Sequence, residues 1–248
     1  DGDDQMDGGL NNDNMDGGAG NDEMLGGNGN DTMTGAAGED CMKGGSGQDV
    51  MDGGADNDIM LGDAGNDRMS GGTGDDKLDG GAGNDSLAGG AGNDTLAGSA
   101  GVDTLNGGAG NDVYIFREDE DSDGTVNVIN NWDAGDIIRL CGQHPIFYSV
   151  TKIEFTSLDN DFNSNDVVIA LSDGTGIIVK NAAADFTQGV GSQLEFVGNN
   201  VDDFQHVDHL ADEELPIEER LCEFDCPDPV IAAAPEPIEF CEEVGTSA

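Results

Sequence analysis

The chain of 248 residues has very little positive charge: 8 Lys and Arg stand against 53 Asp and Glu, for a formal net charge of −45. Such a surface repels the phosphate backbone, so we expect no nucleic-acid partner and predict cations instead. No apolar run approaches the length that spans a bilayer, and no basic amphipathic stretch suggests binding to lipid. We therefore expect no membrane span either.

Catalytic signatures are also missing. Neither H-E-x-x-H nor G-x-S-x-G occurs, so the sequence gives no sign of metalloprotease or lipase chemistry, and we expect no enzyme within this chain. Aromatic residues make up only 5% of the chain, and high net charge with few aromatics is typical of disorder. Composition alone leaves disorder and folding equally open, so the order of the residues has to decide.

Glycine is abundant, and its placement is periodic. A nine-residue unit begins at Gly8 and repeats without a slip until the unit that begins at Gly107. Twelve full units cover residues 8–115 and share the form G-G-x-G-N-D-x-U-x, where U is a large apolar residue. The U position holds, in chain order, Met6 to Met69, then Leu78 to Leu105, and finally Tyr114. A partial unit, DGDDQMD, precedes them, so we expect the chain to be a fragment or a processed product.

Aspartate fills the sixth position of every unit. These residues are Asp4, Asp13, Asp22, Asp31, Asp40, Asp49, Asp58, Asp67, Asp76, Asp85, Asp94, Asp103 and Asp112. Glycine at this density excludes a helix, since each glycine costs roughly 1 kcal/mol relative to alanine. The pattern favours three strand residues, x-U-x, followed by six turn residues, and such short strands can fold only by stacking into a solenoid.

Stacking creates an electrostatic conflict. Aspartates of neighbouring coils would lie about 4.8 Å apart and repel by roughly 3.5 kcal/mol at an effective dielectric near 20. One buried Met or Leu per unit contributes only about 1.5–3 kcal/mol. The stack therefore requires cations between the carboxylates. Flexible coordination by carboxylates and glycine carbonyls favours Ca²⁺, as several ions, over Mg²⁺.

The motif G-G-x-G-x-D-x-U-x resembles the repeats-in-toxin (RTX), or haemolysin-type calcium-binding, family over residue 1 to about 116. The resemblance implies a right-handed parallel β-roll with two repeats per turn, in which each loop stacks on the loop two repeats later. It also implies a set of calcium ligands for each pair of loops. One such set would be Asp85 with the carbonyls of Gly81 and Gly83, and Asp103 with the carbonyls of Gly98 and Ala100.

By the same resemblance, the second and fourth glycines of other regular units would offer carbonyl ligands. These are Gly18, Gly20, Gly27, Gly29, Gly45, Gly47, Gly72, Gly74, Gly90 and Gly92. Other units depart from the pattern at these positions: Asn11 and Asp56 replace the fourth glycine, and Ala36, Asp63 and Ser99 replace the second. Asn and Asp tolerate left-handed backbone, so the fold should absorb them, whereas Ala36 and Ser99 are harder to place.

After the repeats the composition changes to short runs rich in β-branched residues. They are VYIF (113–116), TVNVIN (125–130), DIIRL (136–140), DVVIAL (166–171), GIIVK (176–180) and LEFV (194–197). The Asp173–Gly174 pair predicts a hairpin between two of them. The segment is similar to the one that follows the repeats in serralysin-type proteins, which implies a capping role. We predict an all-β protein: a β-roll over 1–116, a small β capping segment over 117–199 and an acidic tail over 200–248.

Two further groups of residues could hold metal. Asp119, Asp121 and Asp123 open an EF-hand-like D-x-D-x-D-G loop, but Asn130 stands where the closing Glu belongs, so a solvated acidic turn is the favoured interpretation. In the tail, a zinc site is a less favoured alternative to cysteine pairing. Its ligands would come from Cys222, Cys226, Cys241, His206 and His209. The methionine column could suit Cu(I), although core packing is favoured.

The sequence predicts a calcium-binding module of a secreted protein, located outside the cell or at the cell surface. The family resemblance implies export through type I secretion machinery, with the tail as its signal or as a disordered segment. The module would serve a structural, adhesive or secretion-folding role. The alternative is the C-terminal part of a larger secreted enzyme or toxin, such as a metalloprotease, lipase or haemolysin, whose active domain lies upstream.

Overall fold

The computed structural model describes residues 2–117, 125–133, 135–141, 150–156, 166–171, 176–180 and 194–197. These residues form nineteen β-strands and no helix, which confirms the predicted all-β class. Within these ranges, therefore, nothing resembles an apolar helix of membrane-spanning length.

Twelve strands lie within the repeats. They are β1 (Gln5–Leu10), β2 (Asn14–Ala19), β3 (Glu23–Asn28), β4 (Thr32–Ala37), β5 (Cys41–Ser46), β6 (Val50–Ala55), β7 (Ile59–Ala64), β8 (Arg68–Thr73), β9 (Lys77–Asp79), β10 (Ser86–Ala91), β11 (Thr95–Ala97) and β12 (Thr104–Ala109). Seven follow: β13 (Val113–Arg117), β14 (Val126–Asn130), β15 (Ile137–Cys141), β16 (Val150–Thr156), β17 (Asp166–Leu171), β18 (Gly176–Val179) and β19 (Leu194–Val197).

The strands alternate between two sheets, so the chain winds as a solenoid. Sheet 1 has the order β1-β3-β5-β7-β9-β11-β13-β15-β19, and sheet 2 the order β16-β17-β18-β14-β12-β10-β8-β6-β4-β2. Within the repeats every pairing is parallel and joins residues 18 apart, as in Met6↔Met24 and Met15↔Met33. Two repeats therefore make one turn, and twelve repeat strands make six turns, as the resemblance implied.

The strands are longer than the sequence predicted. Most run for six residues, from the seventh position of one unit to the third of the next, and only the fourth to sixth positions form the turn. The pairing continues past the two glycines, for example at Gly9↔Gly27 and Leu10↔Asn28. A positive φ at the second position, +83° at Gly9, bends the strand without ending the ladder. Only β9 and β11 have the expected three residues.

The U column forms the core. Every U side chain from Met24 to Tyr114 is at most 1% exposed, while Met6, at the first coil, packs against this core and is only partly buried. All eight methionines belong to this column, so the packing role favoured for them is confirmed. At its C-terminal end the Tyr114 ring stacks on Trp132, with centroids 5.9 Å apart. The interior is thus a single file of side chains from each sheet.

The solenoid continues beyond the repeats. Strands β13, β15 and β19 extend sheet 1 in parallel, and β14 and β18 extend sheet 2. Each of the six predicted runs contains a strand, and β17 and β18 pair antiparallel, as a hairpin requires. The sequence did not predict β16, which pairs antiparallel with β17. The acidic tail and the cysteine and histidine residues proposed there lie outside the described residues.

The five residues that replace loop glycines all adopt positive φ, as the glycines do. The φ values are 78° for Asn11, 82° for Ala36, 79° for Asp56, 66° for Asp63 and 61° for Ser99. The expectation that the fold absorbs Asn and Asp at these positions is therefore confirmed. Ala36 is the strained member, because its Cβ meets the neighbouring carbonyl in left-handed backbone and no side-chain hydrogen bond compensates.

Ala36→Gly should stabilise the roll. Left-handed backbone costs alanine about 1–2 kcal/mol, of which glycine's greater chain entropy offsets roughly 0.5–1 kcal/mol, so the net gain is up to about 1 kcal/mol. The matched control is Ala37→Gly in the same strand, which has no positive φ and should destabilise. Guanidinium unfolding at saturating calcium measures both. Equal loss of stability in the two variants would contradict the argument.

Candidate metal centres along two ladders of aspartates

The sixth-position aspartates line the two edges of the roll where loops lead into strands. Ladder 1 leads into sheet 1 and ladder 2 into sheet 2, as the spacing of eighteen predicted. Ladder 1 comprises Asp4, Asp22, Asp40, Asp58, Asp76, Asp94 and Asp112, and ladder 2 comprises Asp13, Asp31, Asp49, Asp67, Asp85 and Asp103. From Asp22 to Asp112 each is at most 3% exposed. These side chains are thus buried, although an ionised carboxylate is costly to remove from water.

One oxygen of each buried aspartate is bound by the backbone of the preceding coil. The N–H of Asp67 donates to Asp85 Oδ1 at 2.7 Å, and the N–H of Asp85 donates to Asp103 Oδ1 at 2.8 Å. The same bond recurs at every step from Asp4 to Asp112, at 2.7–2.9 Å. The sequence analysis did not foresee this bond, which ties neighbouring coils together through carboxylates that would otherwise repel.

The second oxygen, Oδ2, accepts no hydrogen bond in eleven ladder aspartates. These are Asp13, Asp22, Asp31, Asp40, Asp49, Asp58, Asp67, Asp76, Asp85, Asp94 and Asp112. A buried oxygen without a partner costs about 1–3 kcal/mol, and more when it is charged. Buried carboxylates in stable proteins are therefore paired with donors or coordinate metals. Eleven such atoms in two regular rows fit a series of cations well.

The loops leave room for this oxygen and surround it with carbonyls. A Cβ on Gly26, a first-position glycine, would lie 2.6 Å from Asp31 Oδ2 and 2.6 Å from the carbonyl oxygen of Gly44 in the next coil. The φ of this glycine is not positive, so backbone conformation does not require glycine here. Glycine is required because a side chain would have no space. Fourth-position carbonyls point along the roll as well: that of Gly83 lies against Gly101 of the next coil. Carboxylate and carbonyl oxygens are the ligands that Ca²⁺ prefers.

The ligand set predicted for Asp85 and Asp103 lies in two adjacent loops. Their carboxylates belong to consecutive steps of ladder 2. Two of the predicted carbonyls already accept backbone bonds at 2.8 Å, Gly81 O from Ala100 N and Ala100 O from Gly83 N. A carbonyl keeps a second lone pair, so these bonds are compatible with a metal ligand. The ligand assignment itself stays a prediction.

Within the described ranges, no three Asp, Glu, His or Cys side chains converge on one point. Each site must therefore combine one or two carboxylates with backbone carbonyls, which suits the six to eight oxygen ligands of Ca²⁺. The tentative ligands Asp119, Asp121 and Asp123 lie outside the described residues.

Burial raises the pKa of eight ladder carboxyls, those of Asp40, Asp49, Asp58, Asp67, Asp76, Asp85, Asp94 and Asp112. Loss of water is the main cause, the backbone hydrogen bond partly offsets it, and the charges of neighbouring aspartates add to it. The pKa rises to about 8 for Asp58 and to about 7 for Asp67 and Asp94. It rises to about 6 for Asp40, Asp76 and Asp85. The metal-free roll therefore opposes the charged form of its own ligands.

A second ladder, at the fifth position, was missed by the sequence analysis. Here the side-chain oxygen of one coil accepts the N–H of the next coil, as in Asn84 N to Asn66 Oδ1 at 2.8 Å and Val102 N to Asn84 Oδ1 at 2.9 Å. Its direction is opposite to that of the aspartate ladders, in which the acceptor lies in the later coil. The signal was present, because Asn recurs at the fifth position of the shared form.

The model of the RTX calcium-binding nonapeptide repeat matches residues 1–24, 16–51, 25–60, 52–87, 61–96, 79–114 and 88–122. The repeat half of the chain belongs to the RTX calcium-binding nonapeptide-repeat family. The matches end at residue 122, so the serralysin-like resemblance of the following segment stays a prediction. No curated protein sequence matches the chain.

Two solved structures are similar to this RTX chain. One is the solution structure of the AlgE6R3 subunit of the Azotobacter vinelandii mannuronan C5-epimerase, at 19% identity and a TM-score of 0.37, over 78% of this chain and 91% of that chain. The other is the extracellular lipase LipA from Serratia marcescens, at 19% identity and a TM-score of 0.28. That match covers 72% of this chain and 40% of the lipase, so the RTX chain corresponds to less than half of it.

Replacing one ladder aspartate should have opposite effects with and without calcium. Asp67→Asn keeps the acceptor for the Asp49 N–H but removes a buried charge, so the metal-free chain should gain β-structure. Calcium affinity should fall on the order of tenfold, because it follows the number of charged ligands. Circular dichroism and calcium titration measure the two effects. Asp52→Asn, on the exposed face, is the control with the same change of charge. A variant that weakens the roll equally in both conditions would argue against a metal role.

The raised pKa values predict that acid stabilises the metal-free roll. Between about pH 4 and 8 the folded carboxyls bind more protons than unfolded ones, whose pKa is near 3.8. The free energy of unfolding therefore falls as pH rises through this window. In calcium-free buffer, the β signal should increase on acidification from pH 8 to 5. Protons compete with calcium, so the half-saturating concentration should increase over the same change. A metal-free β signal that falls on acidification would contradict this.

Proposed function

We propose that this chain is a calcium-folded module of an extracellular protein, exported by a type I system, with a structural, adhesive or secretion-folding role. The observation that carries the proposal is the double row of eleven buried Oδ2 atoms that accept no hydrogen bond, in a repeat of the RTX calcium-binding family. Calcium supplies the opposite charge that these oxygens lack within the protein.

Coupling of folding to calcium follows from the charge balance. The chain carries a formal charge of −45, so it repels itself without bound cations. An ion that binds only the folded roll stabilises it in proportion to the logarithm of its concentration relative to Kd. A chain of this kind is expanded where calcium is scarce and folded where calcium is millimolar, outside the cell. Export in the unfolded state is consistent with that difference.

The proposal assigns no catalysis to this chain. The alternative is that the roll is the calcium-binding part of a larger secreted enzyme or toxin. The full-length gene decides between the two, since it shows whether a catalytic or pore-forming domain precedes the repeats.

A calcium titration tests the proposal. Addition of calcium to the chelator-treated chain should increase the β signal in circular dichroism and decrease the hydrodynamic radius, with a midpoint below millimolar concentration. Magnesium at the same concentration should produce little change, because its strict octahedron suits flexible carbonyl loops poorly. An equal response to the two ions, or no response to calcium, would sink the proposal.

A further inference from the structure

Both aspartate ladders continue for one step beyond the repeats, where the residues change. In ladder 2 the Asp103 N–H donates to Asn127 Oδ1 at 2.7 Å, and in ladder 1 the Asp112 N–H donates to Asp136 Oδ1 at 2.9 Å. Both steps span 24 residues instead of 18, and both acceptors are buried. The backbone bond is thus kept, and what changes is the second atom of each acceptor side chain.

At the end of ladder 2, hydrogen-bond donors stand where the repeats have oxygens. Asn127 carries the amide nitrogen Nδ2 where a repeat aspartate carries Oδ2. This NH₂ group donates no hydrogen bond within the described residues, and it cannot ligate a cation. The hydroxyl of Thr125 donates to the carbonyl oxygen of Gly101 at 2.5 Å. Gly101 is a fourth-position residue, the kind whose carbonyl was predicted as a calcium ligand in regular units. The Thr125 hydroxyl thus takes up one carbonyl of this loop, and no carboxylate oxygen faces it from Asn127.

A fixed positive charge from the end of β13 contacts the same loop. Arg117 Nη1 lies 2.9 Å from Asp79 Oδ2 and donates to Ser99 Oγ at 3.2 Å, and Ser99 Oγ donates to Asp79 Oδ1 at 2.8 Å. Arg117 and Ser99 are both buried. Ser99 replaces a loop glycine, a departure that the sequence left unexplained. Its hydroxyl joins the guanidinium of one coil to a carboxylate two coils earlier.

The end of ladder 1 is closed in a similar way. Asp136 Oδ2 accepts the N–H of Asp133 at 2.8 Å, so the backbone binds both oxygens of Asp136. The side-chain amide of Asn131 donates to the carbonyl oxygen of Gly108 at 2.7 Å. Gly108 is a second-position glycine, again of the kind predicted to offer a carbonyl to calcium. This carboxylate, unlike that of Asp112 one step earlier, accepts a hydrogen bond at each oxygen.

We propose that calcium binding along the two ladders stops at Asp103 and Asp112, because in the next coil an amide replaces one carboxylate and protein donors bind the other carboxylate and the loop carbonyls. The donors are the Thr125 hydroxyl, the Asn131 amide, the Asp133 N–H and the Arg117 guanidinium. This inference rests on the proposed function, since it states where calcium binding ends. It means that the last step of each ladder is held at any calcium concentration.

Counting bound calcium tests the inference. Equilibrium dialysis of the whole chain at saturating calcium, with atomic absorption, gives the number of ions per chain. Asp136→Asn should bind as many ions as the wild type, whereas the matched variant Asp112→Asn, one step earlier, should lose at least one. Circular dichroism establishes that each variant is folded.

A second pair of variants repeats the test on ladder 2, should Asp136→Asn not fold. Thr125→Val, which removes only the hydroxyl, should keep the wild-type number of ions, and Asp103→Asn should lose at least one. The loss of an ion in Asp136→Asn or Thr125→Val would overturn the inference, and so would an unchanged count in Asp112→Asn and Asp103→Asn. A wild-type chain that binds no calcium would overturn the proposed function itself.

Discussion

In each of the buried repeat aspartates whose Oδ2 accepts no hydrogen bond, the protein satisfies the carboxylate through Oδ1 alone, and the rest of the structure depends on that asymmetry. The bond from the preceding coil to Oδ1 fixes the carboxylate at the edge, and Oδ2 is left directed into the loop. A first-position glycine is needed because any Cβ would collide with that oxygen, as at Gly26. A period of eighteen is needed because the donor must come from the coil before. The glycine, the aspartate and the spacing thus all follow from the need to place one carboxylate between two coils.

This asymmetry also explains how so thin a core can support a fold. A buried U residue contributes about 1.5–3 kcal/mol, and an unpaired buried oxygen costs about 1–3 kcal/mol. The two effects nearly cancel in each repeat, so packing alone cannot decide whether the metal-free roll forms. The group that binds Oδ2, whether a proton, a cation or a protein donor, therefore decides whether the roll forms. Folding of the repeats depends on conditions, because the group that binds Oδ2 is not supplied by the repeat itself.

The sequence could predict what is periodic. The nine-residue unit sets the strand order, the register of eighteen and the two edges, and alternation about U places Met24 and Leu78 in the core. It could not predict hydrogen-bond direction. An Asn and an Asp adjacent in the loop both accept a backbone N–H. The Asn accepts it from the later coil and the Asp from the earlier coil. Only three-dimensional placement of the N–H groups distinguishes the two. Strand length was underestimated for a related reason, since glycine weakens a strand locally but pairing with the next coil maintains it.

Periodicity cannot specify where an array ends, because every repeat carries the same instruction to stack another. Residues that break the pattern must therefore specify the end of the array, and a search for the repeat gives no role to such residues. Ser99 and Asn127 show this: one departs from the unit and the other lies beyond it, and the sequence assigned neither a role. Both take part in the contacts that follow the last repeat loops. At the end of the array, donors of the protein itself bind the loop oxygens that an ion from solution binds along the array. These donors are present at any ion concentration. The residues that fit the repeat least are therefore the ones that determine its length.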